Sequence, residues 1–151
     1  MSVLSFRAAC AADLPAMMAL LVQNKPVFGI LLDHHVAEDL AYVSRFRRRC
    51  WFVAEQEGTV VGTLFCFHAV HDWSYPNYLC ISPAAKGQGG GAGLLAMAEA
   101  QAKQMGQRGV RFQCPEGNSA NGLYAKLGYQ QTGRERASRN YLINWERCFA
   151  A

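Results

Sequence analysis

The most constraining feature of this 151-residue chain is a glycine-rich segment near its middle, from Gly87 to Gly93. It follows an apolar run that ends in Ile81-Ser82-Pro83, and it leads directly into the helix-forming run from Leu94 to Ala100. Glycine tolerates positive φ and lets the backbone approach a ligand closely. Backbone N–H groups at a helix start are unpaired and carry partial positive charge. This order of strand, glycine loop and helix therefore predicts a site for a pyrophosphate-like anion, to which Lys86 would add a full charge.

Two common phosphate-binding loops fit the segment poorly. A Walker-type loop ends in Lys followed by Ser or Thr, and no such pair follows these glycines. A dinucleotide fingerprint follows the first strand of its fold and has an acidic residue about 20 positions later, whereas this loop comes after several predicted strands. A flexible glycine turn that binds nothing is a further alternative, and the helix-forming run directly after the loop disfavours it.

Hydrophobic periodicity predicts the order of elements as β-α-α-β-β-β-α-β-α-β-β, an α/β domain with helices layered on a sheet. Asp13 is predicted to open the first helix, whose apolar side includes Leu14, Met17, Met18, Leu21 and Val22. The other helices are predicted over Val36–Arg49, from the glycine loop to Met105, and over Ser119–Leu127 before Gly128. The strands are predicted at Val3–Ala8, Trp51–Glu55, Thr59–Val70, Asn77–Ser82, Val110–Cys114, Tyr129–Thr132 and Tyr141–Trp145.

Composition narrows the class of protein further. A length of 151 residues with 51% apolar and 17% charged residues suits one globular domain over residues 1–151. The net charge of +4 is mild, and the basic run from Arg45 to Arg49 is more typical of a solvated helix face than of a nucleic-acid-binding stripe. No run is long enough to cross a membrane, and the N-terminus lacks the apolar core of a signal peptide. The six cysteines lack metal-ligand spacing, so we expect free thiols, no metal and a cytoplasmic location.

At the glycine loop the sequence resembles the GNAT superfamily of N-acetyltransferases. The family's acetyl-CoA loop reads Arg/Gln-x-x-Gly-x-Gly/Ala and follows a strand that typically ends in Val-x-Pro. The matching residues here are Ile81-Ser82-Pro83, followed by Lys86-Gly87-Gln88-Gly89-Gly90-Gly91. Lys86 keeps the positive charge of the family's arginine but not its planar fork. A second segment, Asn118 to Tyr129, is similar to the family's Asn-x-x-Ala-x-x-Leu-Tyr-x-Lys-x-Gly-Phe, with its asparagine one place closer to the tyrosine. With the matching element order, the resemblance extends over nearly the whole chain.

The resemblance implies a mixed, mostly antiparallel central sheet flanked by helices, and an enzyme that transfers an acetyl group from acetyl-CoA directly to a primary amine. The backbone of the strand before the loop would hold the pantetheine arm, and a backbone N–H there would polarise the thioester carbonyl. The loop would hold the pyrophosphate. The acetyl-CoA-binding residues that the resemblance implies are Leu79, Cys80, Ile81, Lys86, Gly87, Gln88, Gly89, Gly90, Gly91, Ala92, Asn118, Asn121, Tyr124 and Lys126.

The resemblance implies a particular residue for the catalytic acid but not for the base. Tyr124 occupies the family's position for the proton donor to the departing thiolate, although it also suits a packing role in the short helix. Many family members carry a glutamate on or beside the acetyl-CoA strand, and this chain has none there. His68, His71 and Asp72 are the nearby candidates for a base, and exposed loop side chains are an equal interpretation of these residues.

Several alternatives stay open. A CoA-binding module without catalysis is favoured by the missing carboxylate and disfavoured by Tyr124, and a nucleic-acid-binding domain is a third hypothesis. Cys80 as a covalent nucleophile is less favoured than a buried thiol. The acceptor is expected to be a small-molecule or peptide amine, with His34-His35 as possible contacts, and we expect neither a nucleic-acid nor a membrane partner. The resemblance makes a homodimer plausible.

Overall fold

The structure is a computed structural model that describes residues 3–24 and 48–149. Within these ranges no helix is long and apolar enough to span a bilayer. The helices are α1 (Leu14–Gln23), α2 (Gly90–Gln104) and α3 (Ala120–Lys126), with short 3₁₀ turns at Ala11–Asp13 and Pro83–Ala85. The strands are β1 (Ser5–Ala8), β2 (Arg49–Gln56), β3 (Thr59–His68), β4 (Ser74–Ile81), β5 (Gly109–Pro115), β6 (Gln130–Arg136) and β7 (Tyr141–Cys148).

The chain forms two compact units, one from Met1–Phe67 with Pro76–Ala98 and the other from His68–Tyr75 with Glu99–Ala151. Strands follow the order β1-β2-β3-β4 in the first unit and β4-β5-β7-β6 in the second, because β4 contributes residues to both. The described strand pairs β1/β2, β2/β3, β5/β7 and β6/β7 are antiparallel, and β4/β5 is parallel. This mixed, mostly antiparallel sheet with helices confirms the predicted fold class. The single domain over residues 1–151 stays a prediction.

Strand and helix positions agree with the sequence pattern apart from their ends. Differences of three or four residues occur at the start of β4 and at the ends of β6 and β7. The predicted helix Val36–Arg49 lies outside the described residues except at its last positions, where it is wrong because Arg48 forms a turn and Arg49 begins β2. Arg49 lies opposite Phe67 of β3, and its guanidinium lies 5.7 Å from the centre of that ring. Pairing with β3 therefore overrides the helical pattern at this point.

Asp13 directly precedes α1 as predicted, but its side chain does not cap the helix. Its two carboxylate oxygens accept hydrogen bonds from Nη1 and Nη2 of Arg7, at 2.7 and 2.8 Å. The backbone N–H of Cys10 donates to the same carboxylate at 2.8 Å. Arg7 also contacts Glu55 of β2. Hydrogen bonding to Arg7 holds the pKa of Asp13 well below its usual range.

The core of the first unit lies between α1 and the strands. Met17 and Leu21 are fully buried and Leu20 nearly so, whereas Met18 and Val22 are 40% and 56% exposed. The apolar side of α1 is therefore centred on Met17, Leu20 and Leu21, and the prediction was wrong to include Met18 and Val22. Against these side chains pack the buried Ala9, Trp51, Val53, Phe65 and Cys80.

The core of the second unit combines aromatic rings with a partly buried ion pair. The ring of Phe112 in β5 packs edge-on against Tyr124 and Tyr129, with centroids 4.6 and 5.1 Å apart. Glu99 of α2 is 8% exposed and accepts hydrogen bonds from the Tyr129 hydroxyl at 2.9 Å and from Arg147 at 2.9 and 3.0 Å. The guanidinium of Arg147 also lies 4.1 Å from the centre of the Tyr129 ring. Burial and Glu99 together raise the pKa of Tyr129 well above its usual value, so this hydroxyl stays a donor.

Candidate active site

The glycines of the predicted pyrophosphate loop serve two structural requirements. Gly87 and Gly89 have φ values of +80° and +84°, which side-chain-bearing residues rarely adopt, and a Cβ built on either would meet no atom within 4 Å. Gly90 and Gly93 have no such torsion but are closely packed. A Cβ on Gly93 would lie 2.0 Å from Cζ of Phe6, and one on Gly90 would lie 3.0 Å from Cδ1 of Ile81. The first pair thus shapes the open loop, and the second pair seats α2 against β1 and β4.

The start of α2 presents unpaired backbone donors. The first intrahelical bond runs from the N–H of Gly93 to the carbonyl of Gly89 at 3.0 Å. The N–H groups of Gly90, Gly91 and Ala92 therefore have no intrahelical acceptor, and none is found elsewhere in the described residues. Donors beside an open glycine turn match the acceptor oxygens of a pyrophosphate, so the loop fits the group that the sequence predicts.

Lys86 and Gln88 border this turn from its exposed side. Lys86 is exposed at the end of the short 3₁₀ turn, and Gln88 is exposed one residue beyond Gly87. The Oε1 atom of Gln88 accepts a hydrogen bond from Gln56 of β2 at 2.6 Å. This bond ties the loop to β2 and orients the Gln88 side chain, while Lys86 adds a positive charge to the same exposed loop.

The predicted pantetheine strand carries a backbone irregularity that the sequence did not indicate. Tyr78 has φ of +57°, unusual for a residue with a large side chain. Its ring stacks on Trp51, with centroids 5.9 Å apart and planes 10° apart. Directly after it come Leu79, Cys80 and Ile81, the residues predicted to bind through their backbone. Gly62 of β3 allows the close approach of this stretch, since a Cβ there would lie 3.3 Å from the Cys80 carbonyl oxygen.

Cys80 is only 1% exposed, and burial raises the pKa of its thiol to about 12. A thiol in that range supplies almost no thiolate near neutral pH. The interpretation of Cys80 as a buried thiol therefore fits the structure, and the covalent-nucleophile alternative does not.

Tyr124 is 6% exposed and sits in the aromatic cluster of the second unit. Besides Phe112, its ring packs edge-on against Tyr129 and Trp145, with centroids 6.2 and 5.9 Å apart. Contacts on three sides leave the ring little freedom to rotate, so the direction of the hydroxyl is fixed by packing. This arrangement suits a group that must deliver a proton to one atom, and it also stabilises α3.

Asn118 and Asn121, both predicted to contact acetyl-CoA, have structural hydrogen bonds. The Oδ1 atom of Asn118 accepts from the Ala120 N–H at 2.9 Å and stabilises the start of α3. Asn121 donates to the carbonyls of Pro115 and Asn118 at 2.9 and 3.0 Å, and accepts from Nε1 of Trp145 at 2.8 Å. Asn121 thus uses both ends of its amide within the second unit. Lys126, at the exposed end of α3, lies in the same unit.

The three candidates for a base differ in their surroundings. His68 is the last residue of β3 and fully buried, which contradicts its interpretation as an exposed loop side chain. Its Nδ1 lies 2.6 Å from the Ser74 hydroxyl and its Nε2 lies 2.8 Å from Oε1 of Gln101, so both ring nitrogens are occupied. His71 is exposed in a turn with φ of +51°, and Asp72 is half-buried with its carbonyl accepting from the Arg108 N–H at 3.2 Å.

The predicted residues fall into two sets. Leu79 to Ile81 and Lys86 to Ala92 lie in the first unit, while His71, Asp72 and the segment from Asn118 to Lys126 lie in the second. Sequence reasoning missed Trp145 and Glu99, whose hydrogen bonds join residues far apart in the chain and leave no local signal. Among the residues that the structure covers, no cluster of His, Cys, Asp or Glu side chains is arranged to hold a metal ion.

The chain matches a known protein family in its sequence and solved structures in its fold. Residues 47–131, more than half of the chain, match the family model described as acetyltransferase (GNAT) domain. A search of curated proteins gives no match. Three solved structures with less than 25% identity share the fold.

One of them is the ribosomal-protein-S18-alanine N-acetyltransferase from Escherichia coli, with 17% identity and a TM-score of 0.81 over 99% of this chain and 96% of that chain. A second is the ribosomal-protein-alanine N-acetyltransferase from Brucella melitensis, with 22% identity and a TM-score of 0.75 over 96% and 99%. A third is a proposed streptothricin acetyltransferase from Bacillus anthracis strain Ames in complex with acetyl coenzyme A, with 18% identity and a TM-score of 0.66 over 70% and 66%.

Proposed function

The chain belongs to the GNAT family of acetyltransferases, and from this premise we propose that it transfers the acetyl group of acetyl-CoA to a primary amine within a ternary complex. The observation that carries the proposal is the loop from Lys86 to Ala92, where positive-φ glycines, unpaired backbone donors and a lysine occur together. A structure with the same fold, from Bacillus anthracis, was solved with acetyl coenzyme A.

In the proposed binding mode the loop and the start of α2 hold the pyrophosphate. The backbone of Leu79, Cys80 and Ile81 holds the pantetheine arm. One backbone N–H of this stretch polarises the thioester carbonyl, because a donor aimed at the developing negative charge lowers the barrier to attack. The irregular φ of Tyr78 supports this role, since it alters the direction of the backbone groups directly before Leu79.

The proposed chemistry is a direct transfer. The ammonium group of the acceptor first loses one proton, and the neutral nitrogen then bonds to the acetyl carbon. The bond between that carbon and sulfur breaks, and the nitrogen releases a second proton to solvent as the amide forms. Tyr124 donates its hydroxyl proton to the departing sulfur and regains a proton from solvent. With a usual pKa of about 10, a tyrosine is protonated at neutral pH and can therefore donate a proton to the departing thiolate, whose thiol has a usual pKa of about 8.5.

The acceptor is proposed to be a small-molecule or peptide amine. Two structures of the same fold carry names that specify ribosomal-protein alanine acetylation. A peptide with a free N-terminal alanine is therefore a sensible first probe, beside spermidine and lysine methyl ester as small amines. A homodimer is also proposed, from the resemblance alone, and a cytoplasmic location is proposed from the cysteine thiols, since cysteines without disulfides are typical of a reducing compartment.

Calorimetric titration with acetyl-CoA, beside NAD and ATP, tests the cofactor. Selective binding of acetyl-CoA is expected, and equal binding of all three would contradict the proposed site. Turnover is then followed by the loss of thioester absorbance, because Cys10 and Cys148 are exposed and would react with thiol reagents. Binding of acetyl-CoA without acetylation of any of the three amines would instead support a CoA-binding module without catalysis.

A further inference from the structure

Two cysteines lie directly opposite each other in the first unit. Cys50 of β2 pairs with Cys66 of β3 in an antiparallel ladder. The register shift of this ladder lies further along β2, between Ala54 and Glu55, so the pairing around the cysteines is regular. Directly opposite residues place their side chains on the same face of the sheet. The two thiol groups therefore extend from the same face of neighbouring strands.

The spacing of such a pair suits a disulfide. In antiparallel strands the Cα atoms of opposite residues are about 4.5 or 5.5 Å apart, and a disulfide joins Cα atoms about 4.4–6.8 Å apart. Both kinds of strand pair fall within that range, so Cys50 and Cys66 can be joined without a large movement of the backbone. Neither cysteine is in a disulfide in the structure, which therefore shows the pair in its reduced form.

The two cysteines differ in their access to solvent. Cys50 is half-buried near the start of β2, whereas Cys66 is fully buried. An oxidant in solution therefore reaches Cys50 first, and Cys66 lies beside it as the second, resolving thiol. This arrangement is typical of cysteines that respond to oxidants. Cys114 of β5, by contrast, is buried opposite Ile143 and has no cysteine at the corresponding position.

The cysteine pair adjoins the aromatic residues that contact the predicted pantetheine strand. One position further along the ladder, Trp51 lies opposite Phe65. The ring of Trp51 stacks on Tyr78 at 5.9 Å between centroids, and the ring of Phe65 lies 6.1 Å from that of Tyr78. Tyr78 has positive φ and directly precedes Leu79. A bond that draws β2 and β3 together at the cysteines therefore shifts the rings that pack against this irregular backbone.

We propose that Cys50 and Cys66 form a reversible disulfide with glutathione disulfide as the oxidant, and that this bond weakens acetyl-CoA binding. The Cys50 thiolate attacks one sulfur of the oxidant, which forms a mixed disulfide and releases one glutathione thiolate. Cys66 then loses its proton to solvent, attacks the Cys50 sulfur and displaces the second glutathione. Two protein thiols are oxidised, and one glutathione disulfide is reduced to two glutathione molecules. The effect on acetyl-CoA rests on the proposed function, whereas the disulfide itself does not.

The disulfide is tested in the unchanged protein and in a variant with Cys10→Ser and Cys148→Ser, because these exposed thiols also react with glutathione disulfide. After incubation with the oxidant, the remaining thiols are blocked with iodoacetamide in denaturant. Cleavage after Glu57 separates the fragment of Cys50 from that of Cys66, so a disulfide keeps the two fragments joined. Tandem mass spectrometry then identifies the bonded sulfur atoms. We expect this link to form in both proteins and dithiothreitol to remove it.

The effect on binding is measured by calorimetry with acetyl-CoA on the reduced and the oxidised protein. We expect oxidation to raise the Kd at least about fivefold. The matched control adds Cys50→Ser to the variant without exposed thiols, which leaves Cys66 with no cysteine opposite it. This control should show no joined fragments, and its Kd should be the same before and after treatment with glutathione disulfide.

The outcomes separate the disulfide, its effect and the proposed function. Alkylation of both Cys50 and Cys66 after the treatment, or glutathione that stays attached to Cys50, would overturn the disulfide. A disulfide that leaves the Kd unchanged would overturn the effect on binding. Failure of the reduced protein to bind acetyl-CoA would overturn the proposed function and the effect on binding, while joined fragments would still establish the disulfide.

Discussion

Trp145 donates a hydrogen bond from Nε1 to Oδ1 of Asn121 at 2.8 Å, which joins β7 to the first turn of α3. The same indole packs edge-on against Tyr124, one turn further along α3, with centroids 5.9 Å apart. The residue predicted as proton donor and the residue predicted as cofactor ligand are thus connected through one tryptophan. This connection makes the roles of Asn121 and Tyr124 separately testable.

Asn121→Ala is expected to lower the free energy of unfolding by about 1–3 kcal/mol, because it leaves the buried indole N–H of Trp145 without its acceptor and removes one of the two hydrogen bonds at each of two backbone carbonyls. Turnover is expected to fall with little change in the acetyl-CoA Kd. Asn121→Asp keeps an acceptor for Trp145 and should recover part of the loss. Urea unfolding and calorimetry measure these effects. A Kd at least about tenfold weaker with unchanged stability would instead identify Asn121 as a cofactor ligand.

Tyr124→Phe is expected to reduce kcat by about 10²-fold or more, because it removes the proposed proton donor. The acetyl-CoA Kd and the unfolding midpoint should change little, since the ring and its aromatic contacts remain. Tyr129→Phe is the matched control from the same cluster. It removes the hydrogen bond to Glu99 and should cost about 1–3 kcal/mol of stability, while kcat of the folded enzyme stays nearly constant. Equal kcat values for the two variants would remove Tyr124 as the acid.

Gly89→Ala is expected to weaken acetyl-CoA binding at least about tenfold, because a Cβ at φ of +84° forces the pyrophosphate loop into a different conformation. Gly106→Ala carries the same kind of backbone strain, at φ of +74° beyond the end of α2. Both positions have open space around the added methyl group. The two variants should therefore lose similar stability, about 1–2 kcal/mol, while only Gly89→Ala affects binding. A normal Kd for Gly89→Ala would mean that the pyrophosphate binds elsewhere.

The free energy of unfolding should fall at acid pH as the Asp13 carboxylate becomes protonated. Arg7 lowers the pKa of Asp13 from its ordinary value of 3.8, so the folded chain binds this proton less readily than the unfolded chain. The contribution is present above that ordinary value and is lost as the pH falls towards the folded pKa. Urea midpoints at about pH 7, 5 and 3 should therefore decline less steeply for Asp13→Asn than for the unchanged protein. Glu57→Gln, in an exposed turn, serves as the control, and identical slopes for all three proteins would contradict this linkage.

Features that depend on residues close together in the chain were predicted from the sequence, whereas features that depend on contacts between distant residues were not. The glycine loop and the start of α2 were predictable because their signals lie within a few consecutive residues. Asp13 was placed correctly before α1, but its bonds to Arg7 depend on how α1 packs beside β1, which a local pattern does not reveal. His68 lay near the end of the predicted strand Thr59–Val70, yet its buried ring is held by Ser74 and by Gln101 of α2.

Backbone detail at the candidate site was also beyond the sequence pattern. Tyr78 lies in a run with ordinary strand composition, and its positive φ arises together with stacking on Trp51 of β2. The side-chain amides of Gln113 and Asn144 both donate to Glu135, and these three residues lie in three strands whose separate sequence patterns do not predict the contact. Such arrangements become visible only when the register of the strands is known.

The glycine loop has a consequence for protein engineering by chemical synthesis. At Gly87 and Gly89 the backbone has positive φ, which strains an L-amino acid, so the requirement there concerns chirality. At Gly93 a side chain of any kind would collide with the ring of Phe6, so the requirement there concerns size. A mirror-image amino acid favours positive φ and would satisfy the first requirement, but a larger residue of either hand at position 93 would still displace α2 or the Phe6 ring. The glycines of one short segment therefore meet a requirement of handedness at its first positions and a requirement of size at its last.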